Sequence, residues 1–270
     1  MNLLDDHYVA DGVADKIISK ISGTTDCNKK DISLNHFKYD QFHIGGAAAT
    51  QKLLKLMGDV TRSVVLDVGA GYGGVARYLA HFGGANVVAV DLAQGYVESA
   101  QKIHESFPFS GGVTYLQGDV CGDFSDAEMG AQLFDWCVWV HLGMNISNKE
   151  GALRTLCNKL SDKGKIIIYD VLKVGGDVLV EECFPLPWAE NEAQSFVDDV
   201  RTYENKLLNA GFKVVYKEKY GDILPKIINN PTPDDVIPLA GSDFKLCLEN
   251  LRQLLARGAV VPWFIIAEKI

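Results

Sequence analysis

The chain has 270 residues, 47% of them hydrophobic and 23% charged, which suits one large domain or a domain with a cap. A formal charge of −9 argues against a nucleic-acid phosphate track, which needs a basic patch. No apolar run reaches the ~18–20 residues of a membrane-crossing helix, the N-terminus lacks a basic-then-apolar leader layout, and Cys27, Cys121, Cys137, Cys157, Cys183 and Cys247 include no C-x-x-C pair. The expectation is a cytoplasmic chain with reduced thiols, no metal, no membrane and no nucleic-acid partner.

Residues 1–58 predict helix, with apolar spacing in VADKIISKI and in AAATQKLLKLM. From residue 63 onward strand and helix patterns alternate. Strands are predicted at 63–68, 86–91, 113–117, 134–140, 164–171, 212–219 and 260–268. Helices are predicted at 73–82, 93–106, 147–160, 194–209 and 241–257. Short connections between them imply a largely parallel sheet with helices on both faces. Residues 172–193 and 220–240, rich in Pro, Gly and Asp, read as loops or cap. Pro262 suits an edge or strand-end position better than a central one. The domain reading is an N-terminal helical lid at 1–58 and a ligand-binding domain at 59–270, with substrate loops at 172–195 and 220–258.

The stretch VVLDVGAGYGG, residues 64–74, carries the chemistry. An apolar strand runs into Asp67, and Gly69, Gly71, Gly73 and Gly74 follow before the helical VARYLAHF. Glycines at a strand-to-helix turn let the backbone approach a ligand, at the edge where open α/β sheets bind nucleotide-like cofactors. Asp91 ends the next strand, 20 residues after Gly71, where an acceptor for ribose hydroxyls is expected. Gly69, Gly71 and Gly74 also satisfy G-x-G-x-x-G, so spacing leaves both NAD and S-adenosylmethionine open. Asp67 discriminates: a carboxylate repels a pyrophosphate and attracts the ammonium of a methionine moiety. A Tyr-x-x-x-Lys dyad, as a nicotinamide oxidoreductase would carry, is not found in a plausible position.

LDVGAGYGG followed by VDL and GDV resembles the class I S-adenosylmethionine-dependent methyltransferases. YDQFHIGGAAAT ahead of the first strand and RGAVVPWFIIAEK at the end are similar to the small-molecule branch containing sarcosine/dimethylglycine and phosphoethanolamine N-methyltransferases. The resemblance implies a Rossmann-like sheet of seven strands, the last antiparallel, with an N-terminal lid and cap insertions. It implies that Asp67, Gly69, Ala70 and Gly71 line the methionine half of the cofactor. Asp91 would take the ribose hydroxyls, Leu92 would pack on the adenine, and Asp119 would meet the adenine amino group beside Val120. Val140 and His141 would face the sulfonium region, although Trp139-Val140 stands where many members have Ser or Gln. Gln41 and His43 would close over the cofactor.

For the acceptor, His141 and Asn145 in WVHLGMN are the candidate catalytic residues. A neutral imidazole can orient or deprotonate an acceptor. The plain alternatives are a histidine bonded to backbone and an Asn145 that caps the helix near Ser147. Tyr8 and Trp188 are assigned to substrate binding, Trp188 because a stiff Pro-flanked aromatic can hold an ammonium. Trp263 is assigned with them, with a core position as its alternative. The expected activity is methyl transfer to a small metabolite, most simply N-methylation of an amine or amino acid such as sarcosine, dimethylglycine or a phosphoethanolamine-like acceptor. S-adenosylhomocysteine would be the product and the state monomer or homodimer. O- or C-methylation and non-catalytic S-adenosylmethionine binding are the alternatives.

Overall fold

The computed structural model describes residues 12–24, 32–122, 131–175, 181–229 and 244–270. Tyr8 and Cys27 lie outside the described residues. The seven strands are β1 Val64–Val68, β2 Asn86–Asp91, β3 Val113–Gln117, β4 Phe134–Val140, β5 Leu160–Lys173, β6 Phe212–Lys219 and β7 Val260–Lys269. They form one sheet in the order β3-β2-β1-β4-β5-β7-β6. The chain groups into two compact units, Met1–Val138 and Trp139–Ile270, a division other than the one at residue 58.

In the first unit β1 pairs parallel with β2, and β2 with β3, placing Asp67 opposite Ala89 and Asp91 opposite Gln117. Val65, Leu66, Val87 and Ala89 are buried, as expected of parallel strands covered on both faces. The helices are α1 Val13–Thr24, α2 Gly46–Met57, α3 Gly74–Gly83 and α4 Gln94–Glu105. Gly73, left-handed at φ 73°, turns the chain from the glycine loop into α3, which ends at left-handed Gly84. The N-terminal helix α1 packs on α4, where an exposed Lys102–Asp15 pair at 2.7 Å adds little stability.

In the second unit β7 is antiparallel to both β5 and β6. It therefore lies inside the sheet, and Pro262 stands within the β5–β7 ladder opposite Val171, not at the edge or strand end expected of it; only toward β6 does the ladder end beside it. The β6 ladder stops at Lys219 opposite Trp263, and one residue further on the Pro262 carbonyl accepts the Tyr220 N–H at 2.8 Å. No ladder donor is needed from the proline on that side. Four further helices are α5 Lys149–Lys159, α6 Val200–Asn209, α7 Leu224–Asn229 and α8 Phe244–Ala256. The predicted helix 194–209 begins only at Val200, because the Asp199 carboxylate caps it by accepting the N–H groups of Arg201 and Thr202. The helix predicted from 147 begins at Lys149, and its cap is Asn148, which accepts from Gly151, not Asn145.

Candidate active site

In the first unit the ends of β1, β2 and β3 carry the predicted cofactor residues. Gly69 and Ala70 both donate their N–H groups to the Val90 carbonyl, at 2.8 and 3.1 Å, which folds the loop back over β2. Asp91 fixes the next step: its Oδ2 accepts the Gly71 N–H at 2.8 Å and its Oδ1 the Ala93 N–H at 3.1 Å. Gly69 and Gly71 have φ of 68° and 53°, a region that favours glycine. A Cβ built on Gly71 would meet nothing within 4 Å, so space for a ligand remains beside the loop.

Asp67 is 2% exposed, and its Oδ2 has no hydrogen-bond partner among the described residues. Burial, reinforced by the Asp91 carboxylate and partly offset by the Ala76 N–H, pushes its pKa up to about 8. A buried acid with an open oxygen is costly unless a cation or donor completes it. An α-ammonium group is such a cation, so the residues present fit S-adenosylmethionine.

Asp119 is exposed in the turn after β3, where its Oδ1 accepts the Cys121 N–H at 2.8 Å. Leu92 and Val120 are half-buried, and the Leu92 carbonyl accepts from Gln117 Nε2 at 3.1 Å. Gln41 and His43 are tied to protein groups. Gln41 Oε1 accepts the Thr50 hydroxyl, Gln41 Nε2 reaches the Gly74 carbonyl at 3.5 Å, and His43 Nε2 lies 3.1 Å from Thr50 Oγ1. Desolvation pulls the His43 pKa down to about 4, so its imidazole is neutral. The segment thus holds on to α2 and the start of α3.

In the second unit the chain leaves β4 through Val140 and His141. His141 has φ of 48°, unusual for a residue with a side chain, and its N–H donates to the Tyr169 carbonyl at 2.8 Å. Its ring lies 5.1 Å from that of Tyr169. A short helical turn, Gly143–Asn145, follows, leaving Asn145 exposed. Asp170 on β5 holds this turn. Its fully buried Oδ2 accepts from Trp139 Nε1 at 3.2 Å, the Gly143 N–H at 3.0 Å and the Tyr203 hydroxyl at 2.8 Å. Burial raises the Asp170 pKa to about 6 against the opposing pull of Tyr203, Lys149, Trp139 and Gly143. A Cβ on Gly143 would come within 2.2 Å of Asp170 Oδ2, so only glycine fits there.

Trp188 is 7% exposed and donates its Nε1–H to Ser195 Oγ at 2.9 Å, a buried anchor of the 186–189 turn. Trp263 is half-buried on β7 opposite Asp170. Asp40, Arg77, Asp170 and Tyr203 were not anticipated. The available signal was a lone charge inside an apolar run, Arg77 in VARYLAHF and Asp170 in KIIIYDVLK.

Residues 66–168 match the family described as Methyltransferase domain. The chain is 27% identical over 211 residues to the sarcosine/dimethylglycine N-methyltransferase of Halorhodospira halochloris, a match covering 73% of this chain and 69% of that protein. A putative sarcosine dimethylglycine methyltransferase from Galdieria sulphuraria superposes with a TM-score of 0.65 at 15% identity, over 95% of this chain and 98% of that one. The chain carries a methyltransferase domain on the class I methyltransferase fold. The methyltransferase is also 27% identical over 229 residues to the sterol 24-C-methyltransferase of Yarrowia lipolytica. That match covers 85% of this chain but 51% of the sterol enzyme, so this methyltransferase spans about half the length of that relative. Phosphoethanolamine N-methyltransferase 2 of Haemonchus contortus shares the fold, with a TM-score of 0.67 at 20% identity over 85% of this chain and 54% of that one. Among the described residues no group of His, Cys, Asp or Glu is arranged to hold a metal ion, and no helix is long and apolar enough to cross a membrane.

Proposed function

We propose that this methyltransferase N-methylates a small amine or amino acid. The observation that carries the cofactor half of this reading is the buried, open Asp67 carboxyl beside a glycine loop held by Asp91. The amine half is supported by the likeness to the sarcosine/dimethylglycine N-methyltransferase, which the match covers over 69% of its length. Exposed Glu190 and Glu192 in the 186–195 loop, and a formal charge of −9, favour a cationic or ammonium-bearing acceptor.

S-adenosylmethionine supplies a methyl group already activated on a sulfonium, so the protein needs no strong nucleophile of its own. Its residues have to align the acceptor and exclude water, which in favourable systems contributes up to roughly 7–11 kcal/mol. Asp67 neutralises the ammonium of the cofactor, and Asp91 shares its carboxylate between the loop and the ribose hydroxyls. Leu92, Asp119 and Val120 serve the adenine side. His141, fixed in its left-handed conformation, accepts the proton of an acceptor that arrives as an ammonium, and exposed Asn145 orients it. Gln41 and His43 act on the cofactor through the loop they hold, and Trp188 shapes the acceptor loop from beneath. Val140 and Trp263 are assigned to the walls of the cofactor and acceptor pockets.

A second reading, C-methylation, is favoured by the likeness to the sterol 24-C-methyltransferase over 85% of this chain. A radiolabelled-methyl assay separates the two. Label transferred to glycine, sarcosine, dimethylglycine or phosphoethanolamine supports N-methylation. Transfer to an isoprenoid or sterol alkene with no transfer to the amines overturns it.

A further inference from the structure

Two of the four glycines in the loop answer to a buried ion pair. Arg77, on α3, and Asp40, ahead of α2, are both fully buried and meet Nη2 to Oδ2 at 2.8 Å. Such a pair contributes little net stability compared with apolar packing, and its better-attested use is to specify one arrangement of the chain. Here the guanidinium joins four separate segments. Nη2 also donates to the Tyr72 carbonyl at 2.6 Å, and Nη1 donates to the Ala100 carbonyl at 3.0 Å and the Tyr115 hydroxyl at 3.2 Å. Tyr72 stands between Gly71 and Gly73 in the loop.

The glycines show how tightly this is built. A Cβ on Gly73 would lie 2.7 Å from the Tyr115 ring and 2.9 Å from Arg77 Nη1. A Cβ on Gly74 would lie 2.4 Å from the Asp40 carbonyl oxygen and 2.7 Å from Gln41 Cγ. Gly71 therefore faces open space, whereas Gly73 and Gly74 make room for Arg77 and for residues 40–41. The Phe42 ring packs 5.3 Å from that of Tyr72, which lies 4.8 Å from Tyr96, so the same segment also covers the loop with aromatic surface.

We infer that Arg77 is a positioning residue for the cofactor loop, and that its pairing with Asp40 couples cofactor affinity to the docking of residues 38–45. The guanidinium holds the Tyr72–Gly73 peptide through the Tyr72 carbonyl, the Gly73 N–H of that peptide donates to the Ala70 carbonyl at 2.8 Å, and the Ala70–Gly71 peptide carries the Gly71 N–H that Asp91 accepts. Docking the segment gives the guanidinium its one carboxylate partner among the described residues, Asp40. By reciprocity, a ligand that favours this loop geometry favours segment docking by the same factor. The inference rests on the cofactor reading of the glycine loop.

The test compares the full chain with Asp40→Asn, using S-adenosylhomocysteine as the probe. Calorimetry measures its affinity, and hydrogen exchange follows the Ala48 and Ala49 amides, which donate to the Gly45 carbonyl. In the parent the ligand slows exchange at both amides. In Asp40→Asn affinity falls by about tenfold, within the usual range of coupling, and the ligand-induced protection disappears. Tyr115→Phe, which keeps the ion pair and removes one contact of Arg77, gives a smaller loss in the same direction and carries the comparison should Asp40→Asn fail to fold. A variant that melts lower but binds within twofold of the parent, with protection intact, makes the pair a purely structural element and overturns the inference. A parent that binds no S-adenosylhomocysteine overturns the cofactor reading first, and the inference with it.

Discussion

Two buried carboxylates, one in each compact unit, differ in the donors that the chain gives them. Asp67 at the end of β1 keeps Oδ2 without a partner among the described residues and has its pKa raised to about 8. Asp170 on β5 also leaves Oδ1 without one, but gathers an indole, a backbone amide and a phenol on Oδ2 and rises only to about 6. Burial raises both. The Asp91 carboxylate raises Asp67 further, whereas three donors and Lys149 oppose the rise at Asp170. On the proposed reading the sparsely held acid takes up the charge of a ligand. The acid on which three donors converge holds its neighbours in place.

The largest effect that sharpens this contrast is expected at Asp67. Asp67→Asn removes a charge-assisted contact worth about 1.5–3 kcal/mol, so affinity for S-adenosylmethionine falls about 10- to 100-fold by calorimetry. The cofactor-free variant moves the other way. An unfolded aspartate titrates near ~3.9. Asp67, raised to about 8, therefore favours the fold fully below the unfolded value and loses that contribution as pH rises through about 8. Asp67→Asn without cofactor should melt higher than the parent at pH 8, with the gap closing toward pH 4. Equal melting temperatures at pH 8 would contradict a strained, ionisable Asp67.

Gly143→Ala probes the Asp170 site next. Its Cβ would press on Asp170 Oδ2 and the Tyr203 hydroxyl, at 2.2 and 2.5 Å. Overpacking of this kind costs about 1–3 kcal/mol, read as a lower denaturant midpoint at unchanged slope. Gly71→Ala meets no neighbour and pays only the left-handed backbone cost of about 1 kcal/mol. Its effect should therefore appear in cofactor affinity more than in the midpoint.

Tyr203→Phe is expected to act more gently. Tyr203 lowers the Asp170 pKa, so removing its hydroxyl raises it. If ionised Asp170 holds the His141–Asn145 turn, the acid limb of the kcat profile shifts upward by about one pH unit while cofactor affinity stays constant. An unmoved acid limb would separate Asp170 from catalysis. The smallest effect belongs to Trp188→Phe, which loses one hydrogen bond to Ser195 at a cost of about 1 kcal/mol in thermal denaturation. A rise in acceptor KM beyond that would place the ring in the acceptor pocket.

The sheet was largely legible because buried parallel strands are short apolar runs and glycine or aspartate marks their ends. All seven predicted strands overlap the observed ones, and Asp67, Gly69, Gly71 and Asp91 fall on one edge of the first unit. Local capping was less legible, since Asp199 and Asn148 start their helices later than apolar periodicity suggests. The position of β7 between β5 and β6 depends on long-range pairing, which a local proline rule does not encode. Arg77 and Asp170 escaped notice for a similar reason. Their partners are 37 and 33 residues away in Asp40 and Tyr203, and only folding brings those groups together.

The central claim is that Asp67 waits for the ammonium of S-adenosylmethionine, and proton bookkeeping tests it directly. At pH 7 a carboxyl with a pKa of about 8 is mostly protonated, and pairing with an ammonium ionises it. Calorimetric titration with S-adenosylmethionine in buffers of different ionisation heat should report release of roughly 0.9 proton per site, and almost none in Asp67→Asn. Binding without proton release, or with the same release in the variant, would contradict the account.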